Sequence, residues 1–283
     1  MNYMALKSQS ITMEAVCAIR SEFSKQLGDN YSSRLLEHLP NAIEGRETLD
    51  TGSRGMFSRS VILRSLYFRN LLKEQSKNFD QLIILSAGLD LSALDIEEWK
   101  DKKIFSVDHP YSQEFCREIF NKSGIDQSIY QYVPYDLTQD LSKLIELLEQ
   151  QGMDRTLPTL ILWEGATYYF NPENIYQVLE IFATSLQNVM FVCDCLNKDA
   201  YLKHGKPSTI YVEKNFEFLE KIGEPWKGFF VPNELDSKLK EIGYEELKVI
   251  PREDIEEQLM GEVKMGLQKM FFVEAKKGAN QIG

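Results

Sequence analysis

From about residue 80 onward the chain repeats a pattern that few folds can accommodate: a short, almost wholly apolar run, a longer amphipathic stretch, then another apolar run. The runs are LIIL at 82–85, IFSV at 104–107, IYQYV at 129–133, TLILW at 159–163 and NVMFVCD at 188–194. Between them, 113–122, 141–151 and 174–184 carry helical spacing of apolar residues. Strands that are apolar on both faces must be covered on both, so the alternation predicts a parallel sheet between two helical layers. A helix over 232–242, then EELKVI at 245–250 and MFFVEAK at 270–276, add two strands able to pair as an antiparallel edge. Upstream, Val16, Ile19, Phe23 and Leu27, then Val61, Leu63, Leu66 and Leu71, recur three or four apart and predict a helical preface. The chain therefore reads as one α/β domain over 1–283. Its parts are a helical cap over 1–78, a core over 79–196, an aromatic-rich insert over 197–231 after strand five, and the end of the sheet over 232–283.

Charge narrows the partners. The 43 acidic residues outnumber the 32 basic ones, for a net charge of −11, and no run of five basic residues interrupts them. Such a surface repels nucleic acid and anionic membranes. Apolar runs all fall short of the roughly 18 residues that suggest a membrane span, so a soluble protein is expected. The opening MNYMALKSQS lacks the pattern of a secretory leader, and Cys17, Cys116, Cys193 and Cys195 form no paired CxxC spacing. These features predict reduced thiols in a cytoplasm. Cys193 and Cys195 have no second ligand pair in view, so no metal is expected. Of the three histidines, His38 and His204 read as surface residues and His109, beside Asp108, as structural.

In an open parallel sheet, ligands gather outside the carboxyl ends of the strands, where helix N-termini and free backbone N–H groups converge. The first four ends here are Ser86-Ala87-Gly88-Leu89-Asp90, Val107-Asp108-His109-Pro110, Tyr135-Asp136-Leu137 and Trp163-Glu164-Gly165. Each presents a carboxylate. One acid after a strand is ordinarily a turn or cap residue, but four at one edge suit a ligand with ribose hydroxyls and positive charge better than a phosphate. The absence of GxGxxG and GxxxxGK[ST] patterns agrees. A sulfonium-bearing nucleoside such as S-adenosylmethionine fits this edge.

The series LSAGLDLSAL, FSVDHP, YDL and LWEGATYYFNPE resembles the leucine carboxyl methyltransferase family, which includes bacterial O-methyltransferases of polyketide tailoring. SRGMFSRSVIL (53–63) is similar to that family's Arg-rich helix before strand one, and GEPWKGFFVPNELDSKLKEIGYEEL (223–247) to its last helix and strand six. The resemblance implies a Rossmann-like class I methyltransferase fold with a seven-stranded, mostly parallel sheet, an antiparallel last strand, a helical N-terminal extension and a lid after strand five. It implies S-adenosyl-L-methionine as cofactor. Arg54 would pair with the cofactor carboxylate, and Ser86, Ala87, Gly88 and Asp90 would line the loop along its methionine portion. Asp108, with His109 beside it, would bind the ribose hydroxyls, and Asp136 and Leu137 would bracket the adenine. Glu164, followed by Gly165, would hold the ammonium. Tyr169 would stand by the acceptor and, with Arg54, form the catalytic pair. Ser86 departs from the family, which has glycine there.

Methyl transfer from a sulfonium is an in-line displacement that rests on orientation. A carboxylate acceptor is already ionised at neutral pH and needs no base, whereas a phenol wants one. With so few histidines the sequence leans toward a small-molecule carboxylate and leaves a hydroxyl open. A protein C-terminal carboxyl methyltransferase and a noncatalytic cofactor-binding or interaction module are the alternatives.

Overall fold

The computed structural model describes residues 10–278; residues 1–9, most of the opening read for a leader, and 279–283 lie outside it. Five helices come first: α1 (Ile11–Glu22), α2 (Ser24–Leu27), α3 (Ser32–Leu36), α4 (Ala42–Ser53) and α5 (Met56–Gln75). The alternating part follows with β1 (Gln81–Leu85), β2 (Lys103–Asp108), α6 (Pro110–Lys122), β3 (Tyr130–Pro134), α7 (Leu141–Gln150), β4 (Thr159–Trp163), α8 (Pro172–Ser185) and β5 (Val189–Asn197). After β5 come α9 (Lys198–Tyr201), a two-stranded hairpin of β6 (Leu202–Lys203) and β7 (Lys206–Pro207), α10 (Ile210–Lys221) and β8 (Phe229–Phe230). The chain closes with α11 (Pro232–Ile242), β9 (Glu246–Pro251), α12 (Arg252–Met260) and β10 (Met270–Lys277).

The main sheet runs β3-β2-β1-β4-β5-β10-β9, with β8 pairing in parallel beside the end of β5. β1 to β5 are mutually parallel where they pair, and β10 is antiparallel to both β5 and β9. This is the mostly parallel sheet, with an antiparallel last strand, that the resemblance implies. β10 inserts between β5 and β9, so of these two late strands only β9 forms an edge.

Strand alternation divides the core in two. Leu82, Ile84, Ile104, Leu160 and Leu162 face one helical layer, where Leu63, Phe68 and Leu72 of α5 and Phe120 of α6 meet them. Ile83, Leu85, Phe105, Ile161 and Phe191 face the other, against Leu144 and Leu148 of α7 and Val178 and Phe182 of α8. Proline opens α6, α8 and α11, where its missing N–H costs no helical bond. These helices therefore start just beyond the strand ends, and the loops before them form the site.

Among the described residues, no helix is long and apolar enough to cross a membrane, and no cluster of His, Cys, Asp or Glu could hold a metal. All four cysteines are free and buried.

Candidate functional site

A cleft of about 270 Å³ opens over the ends of β1, β2 and β4. Its floor is the turn after β1. Ser86 and Gly88 both have left-handed backbones there, at φ 51° and 53°. Glycine reaches that region freely, but a serine there is strained. The Ser86 hydroxyl helps to hold it, because Oγ accepts the indole N–H of the fully buried Trp163 at 3.2 Å. At Gly88 a Cβ would meet Met13 Sδ at 3.2 Å, so α1 closes the cleft from above.

Asp108 ends β2 with both carboxylate oxygens engaged. Oδ2 accepts Gly88 N–H and Oδ1 accepts His109 N–H, each at 2.7 Å. Burial raises its pKa, and those two N–H groups oppose the rise. Each oxygen keeps room for another donor, so the carboxylate is aimed by backbone without being saturated.

At the other end lies a compact charge cluster. Arg20 of α1 places Nη2 2.8 Å from Glu164 Oε1 and Nη1 3.3 Å from Asp90 Oδ2, and its Nε donates to Ser65 Oγ at 3.1 Å. Burial alone would lower the Arg20 pKa, but Glu164 and Asp90 outweigh it and raise it. Arg64 of α5 sits 3.3 Å from the same Glu164 oxygen and donates from Nη1 to Tyr168 OH at 3.1 Å; its Nε is buried without a hydrogen bond. Gly165, at φ 68°, sits in the left-handed region that favours glycine, and a Cβ there would lie 2.8 Å from the Arg64 guanidinium, which would have to shift. Beneath, on β5, fully buried Asp194 accepts Gly165 N–H at 2.6 Å through Oδ1, while Oδ2 has no partner. Burial pushes its pKa up to about 6 against the pull of Arg64 and of that N–H.

Thr12, Phe57, Arg64, Tyr168 and Tyr169 line both this cleft and a second, larger cavity of about 630 Å³. The larger chamber is walled by rings, with Tyr201 and Trp226 at 5.7 Å between centroids and Tyr168 and Trp226 at 5.4 Å. Tyr169 OH lies 3.3 Å from Thr12 Oγ1 and 3.4 Å from Glu224 Oε2. Glu224 also accepts from Ser10 Oγ at 2.8 Å and Thr12 Oγ1 at 2.5 Å. Burial raises the pKa values of both Tyr168 and Tyr169, so both phenols stay protonated; Tyr169 donates to Glu224 and Tyr168 accepts from Arg64.

The structure thus brings Ser86, Ala87, Gly88, Asp90, Asp108, Glu164, Gly165 and Tyr169 to one cleft. Four expected residues fall elsewhere. Arg54 caps α4 in a left-handed conformation, is exposed, and lines only the larger cavity; Arg20 and Arg64 stand where a cation was expected of it. Asp136 folds into its own turn, accepting from Thr138 N–H, Thr138 Oγ1 and Gln139 Nε2. Leu137 is buried in the core. Neither is among the cleft-lining residues, nor is His109, which contributes its backbone N–H to Asp108. Glu164 is not free to take an ammonium alone, since two guanidiniums already face it. Arg20, Arg64, Glu224 and Asp194 were not anticipated. Two carried a signal: an arginine inside the apolar run VILRSLYF, and an aspartate inside VMFVCDC.

S-adenosyl-L-methionine fits these residues. Its methionine end carries one negative and one positive charge, matching a cluster that holds both signs, and its ribose matches a carboxylate with acceptor capacity to spare.

Residues 7–183, more than half of the 283, match the family described as leucine carboxyl methyltransferase. Leucine carboxyl methyltransferase 1 of Rattus norvegicus is 28% identical over 179 residues, covering 56% of this chain and 53% of that protein. A Mycobacteroides abscessus protein provisionally named an S-adenosyl-L-methionine-dependent methyltransferase is 26% identical over 133 residues, covering 45% and 43%. The chain spans about half the length of the curated relatives it matches. A DUF574 family protein from Streptomyces avermitilis shares the fold at a TM-score of 0.66, with 10% identity over 92% of this chain and 97% of that one.

Proposed function

The chain belongs to the leucine carboxyl methyltransferase family, and from that premise we infer that it transfers a methyl group to the carboxylate of a small-molecule acceptor held in the aromatic cavity. The cofactor is S-adenosyl-L-methionine. Bound in the cleft, it supplies a methyl group on a sulfonium, open to in-line attack by an acceptor oxygen. The observation that carries the reading is the shared wall: Thr12, Phe57, Arg64, Tyr168 and Tyr169 line both chambers.

On this reading Asp108 accepts from the ribose hydroxyls, and Gly88 lets the methionine portion run close to the backbone. Arg20 and Arg64 take the amino-acid carboxylate, while Asp90 and Glu164 balance the ammonium. The acceptor side decides between carboxylate and hydroxyl. Arg64 and the protonated Tyr168 and Tyr169 can orient an anion. Nothing in the shared wall is poised to remove a phenolic proton. Glu224, behind Tyr169, already accepts from two hydroxyls besides the tyrosine. A carboxylate needs only to be held and kept from water.

The test is incubation with labelled cofactor and panels of carboxylic acids, phenols and peptide C-termini, followed by mild base. Esters lose their label to base and aryl ethers do not. Base-labile label on small acids is the expected outcome. Base-stable label on phenols would overturn the carboxylate assignment, and label on peptides alone would move the acceptor to a protein C-terminus. In the hydroxyl case Glu224→Gln should also abolish transfer, whereas a carboxylate acceptor tolerates it.

A further inference from the structure

The larger cavity is positively charged inside a protein of net charge −11. Arg54, Arg64, Arg252 and Lys269 line it, and no aspartate or glutamate does. Two of these cations are already neutralised. Arg252 is buried against Glu256 and donates from Nη2 to the carbonyls of Met265 and Gly266. Arg64 faces Glu164. Among the described residues Arg54 is unpaired too, but it is exposed at the end of α4; Lys269 is half-buried, and among those residues it has no ion pair and no side-chain hydrogen bond. Its ammonium lies only over aromatic faces, 5.4 Å from the Tyr201 ring centroid and 5.6 Å from that of Tyr211. Such a cation is partly desolvated and lacks a counter-charge. Consistent with that, burial, helped by Arg252, lowers its pKa. Lys269 lines the larger cavity alone, whereas Arg64 stands in the wall shared with the cleft. The reacting group belongs beside Arg64, so Lys269 is left to read some other part of the same molecule.

We propose that Lys269 is a specificity-determining residue that pairs with a second anionic group of the acceptor, which makes the substrate an apolar molecule carrying an anionic group away from the carboxylate that is methylated. The inference rests on the acceptor lying in this cavity, but its test needs no methyl transfer. The rings supply contact area for the apolar body, and Tyr201 and Tyr211 hold the Lys269 ammonium in place, so little side-chain freedom is lost on binding. An acceptor with a neutral far end would leave the ammonium desolvated and unpaired, and would therefore bind less well.

Calorimetric titration of the full chain, saturated with S-adenosyl-L-homocysteine, compares dodecanedioate with dodecanoate and then shorter and longer homologous pairs. The wild type should bind diacids about tenfold more tightly than the matching monoacids, the scale of one desolvated charge pair. Lys269→Met, which keeps the length and apolar stem, should bind both alike, and Lys269→Arg should restore most of the preference. Melting temperatures establish that the variants are folded. A purely structural lysine would alter melting without touching the diacid-to-monoacid ratio. Equal binding by the wild type, no binding of either acid at any length, or a preference that survives in Lys269→Met overturns the proposal. If the preference holds while no acid is methylated, the proposed reaction falls and this site stands; if acids are methylated regardless of Lys269, the reverse is true.

Discussion

Of the two chambers that meet at Arg64, the smaller is walled by charges and backbone, the larger by rings. The charged groups in the cleft are each tied to a neighbour: Asp108 by two N–H groups, Glu164 by two guanidiniums, Asp90 by Arg20. In the cavity the contacts are aromatic, and two of its cations, Arg54 and Lys269, have no carboxylate partner among the described residues. The origins differ in the same way. The cleft is built on the ends of β1, β2 and β4, whose relative positions the sheet register fixes. The cavity draws on the α4–α5 junction, α10 and the segment before β10, elements appended to the sheet. A cofactor site anchored on a ladder is preorganised, whereas an acceptor site made from appended helices can change its contents without disturbing the ladder.

The largest effect should come from the residue common to both chambers. Arg64→Met removes a buried cation from between Glu164 and Tyr168 and takes the opposing charge from Asp194. Methyl transfer should fall by about a hundredfold or more, and stability by about 3–5 kcal/mol. Both affinities should drop, for cofactor and for acceptor. A variant that lost only one of them would show that Arg64 serves a single chamber, and kcat/KM with separate titrations of each ligand distinguishes these outcomes.

Below the shared wall, Asp194 gives a pH signature. Its pKa is raised from 3.8 to about 6 in the folded state, so between those values the folded protein binds the extra proton. Stability therefore falls as pH rises through that window and is flat above it, the reverse of a paired surface carboxylate. A rise of that size corresponds to up to about 3 kcal/mol. Asp194→Asn should remove this component, so the stability difference between variant and wild type should shift in the variant's favour from pH 4 to pH 7. Parallel denaturation curves at both ends, with no such shift, would mean that Asp194 is ionised without penalty.

How far the sequence carried the reading follows the same division between chambers. Strand runs such as LIIL and TLILW betray themselves because both faces of a parallel sheet are buried, and the acids at their ends follow from where such strands stop. The carboxylates at 90, 108 and 164 were legible for that reason. Arg20 was not, and Arg64 showed only as an arginine inside an apolar run, because both reach the cleft from helices whose packing angle no local pattern encodes. Arg54 looked suitable by its neighbours in SRG, yet it ends α4 and lines only the larger cavity. Asp136 looked like its companions on β1 and β2, but a Thr two positions later turned its carboxylate back on its own backbone. Lys269 gave no local sign at all: its meaning depends on two tyrosines more than fifty residues earlier.

The next effect is confined to the cleft. Asp108→Asn keeps one acceptor oxygen for the Gly88 and His109 N–H groups but replaces the other with a donor. Cofactor affinity should weaken by about 1–2 kcal/mol through the lost charge-assisted bonds to the ribose. Acceptor affinity in the cavity should not move. Calorimetry with S-adenosyl-L-homocysteine and with the acceptor, taken separately, checks both halves. Equal losses on the two sides would mean that the chambers are coupled through the β2 loop as well as through Arg64.

The smallest effect is at Ser86, where the cleft floor departs from glycine. Two terms oppose each other there. The left-handed backbone at φ 51° costs a serine about 1 kcal/mol, while its Oγ satisfies the buried Trp163 N–H at 3.2 Å. Losing that acceptor costs about 1–3 kcal/mol. Ser86→Gly relieves the strain and loses the acceptor, while Ser86→Ala keeps the strain and loses the acceptor too. Both should destabilise, the alanine by about 1 kcal/mol more, although glycine's greater freedom in the unfolded chain erodes part of that margin. Urea denaturation of the three proteins orders them: wild type above glycine above alanine. A glycine variant more stable than the wild type would show that the Trp163 hydrogen bond contributes less than the strain costs, and an alanine variant equal to glycine would show that the turn holds its left-handed geometry without penalty.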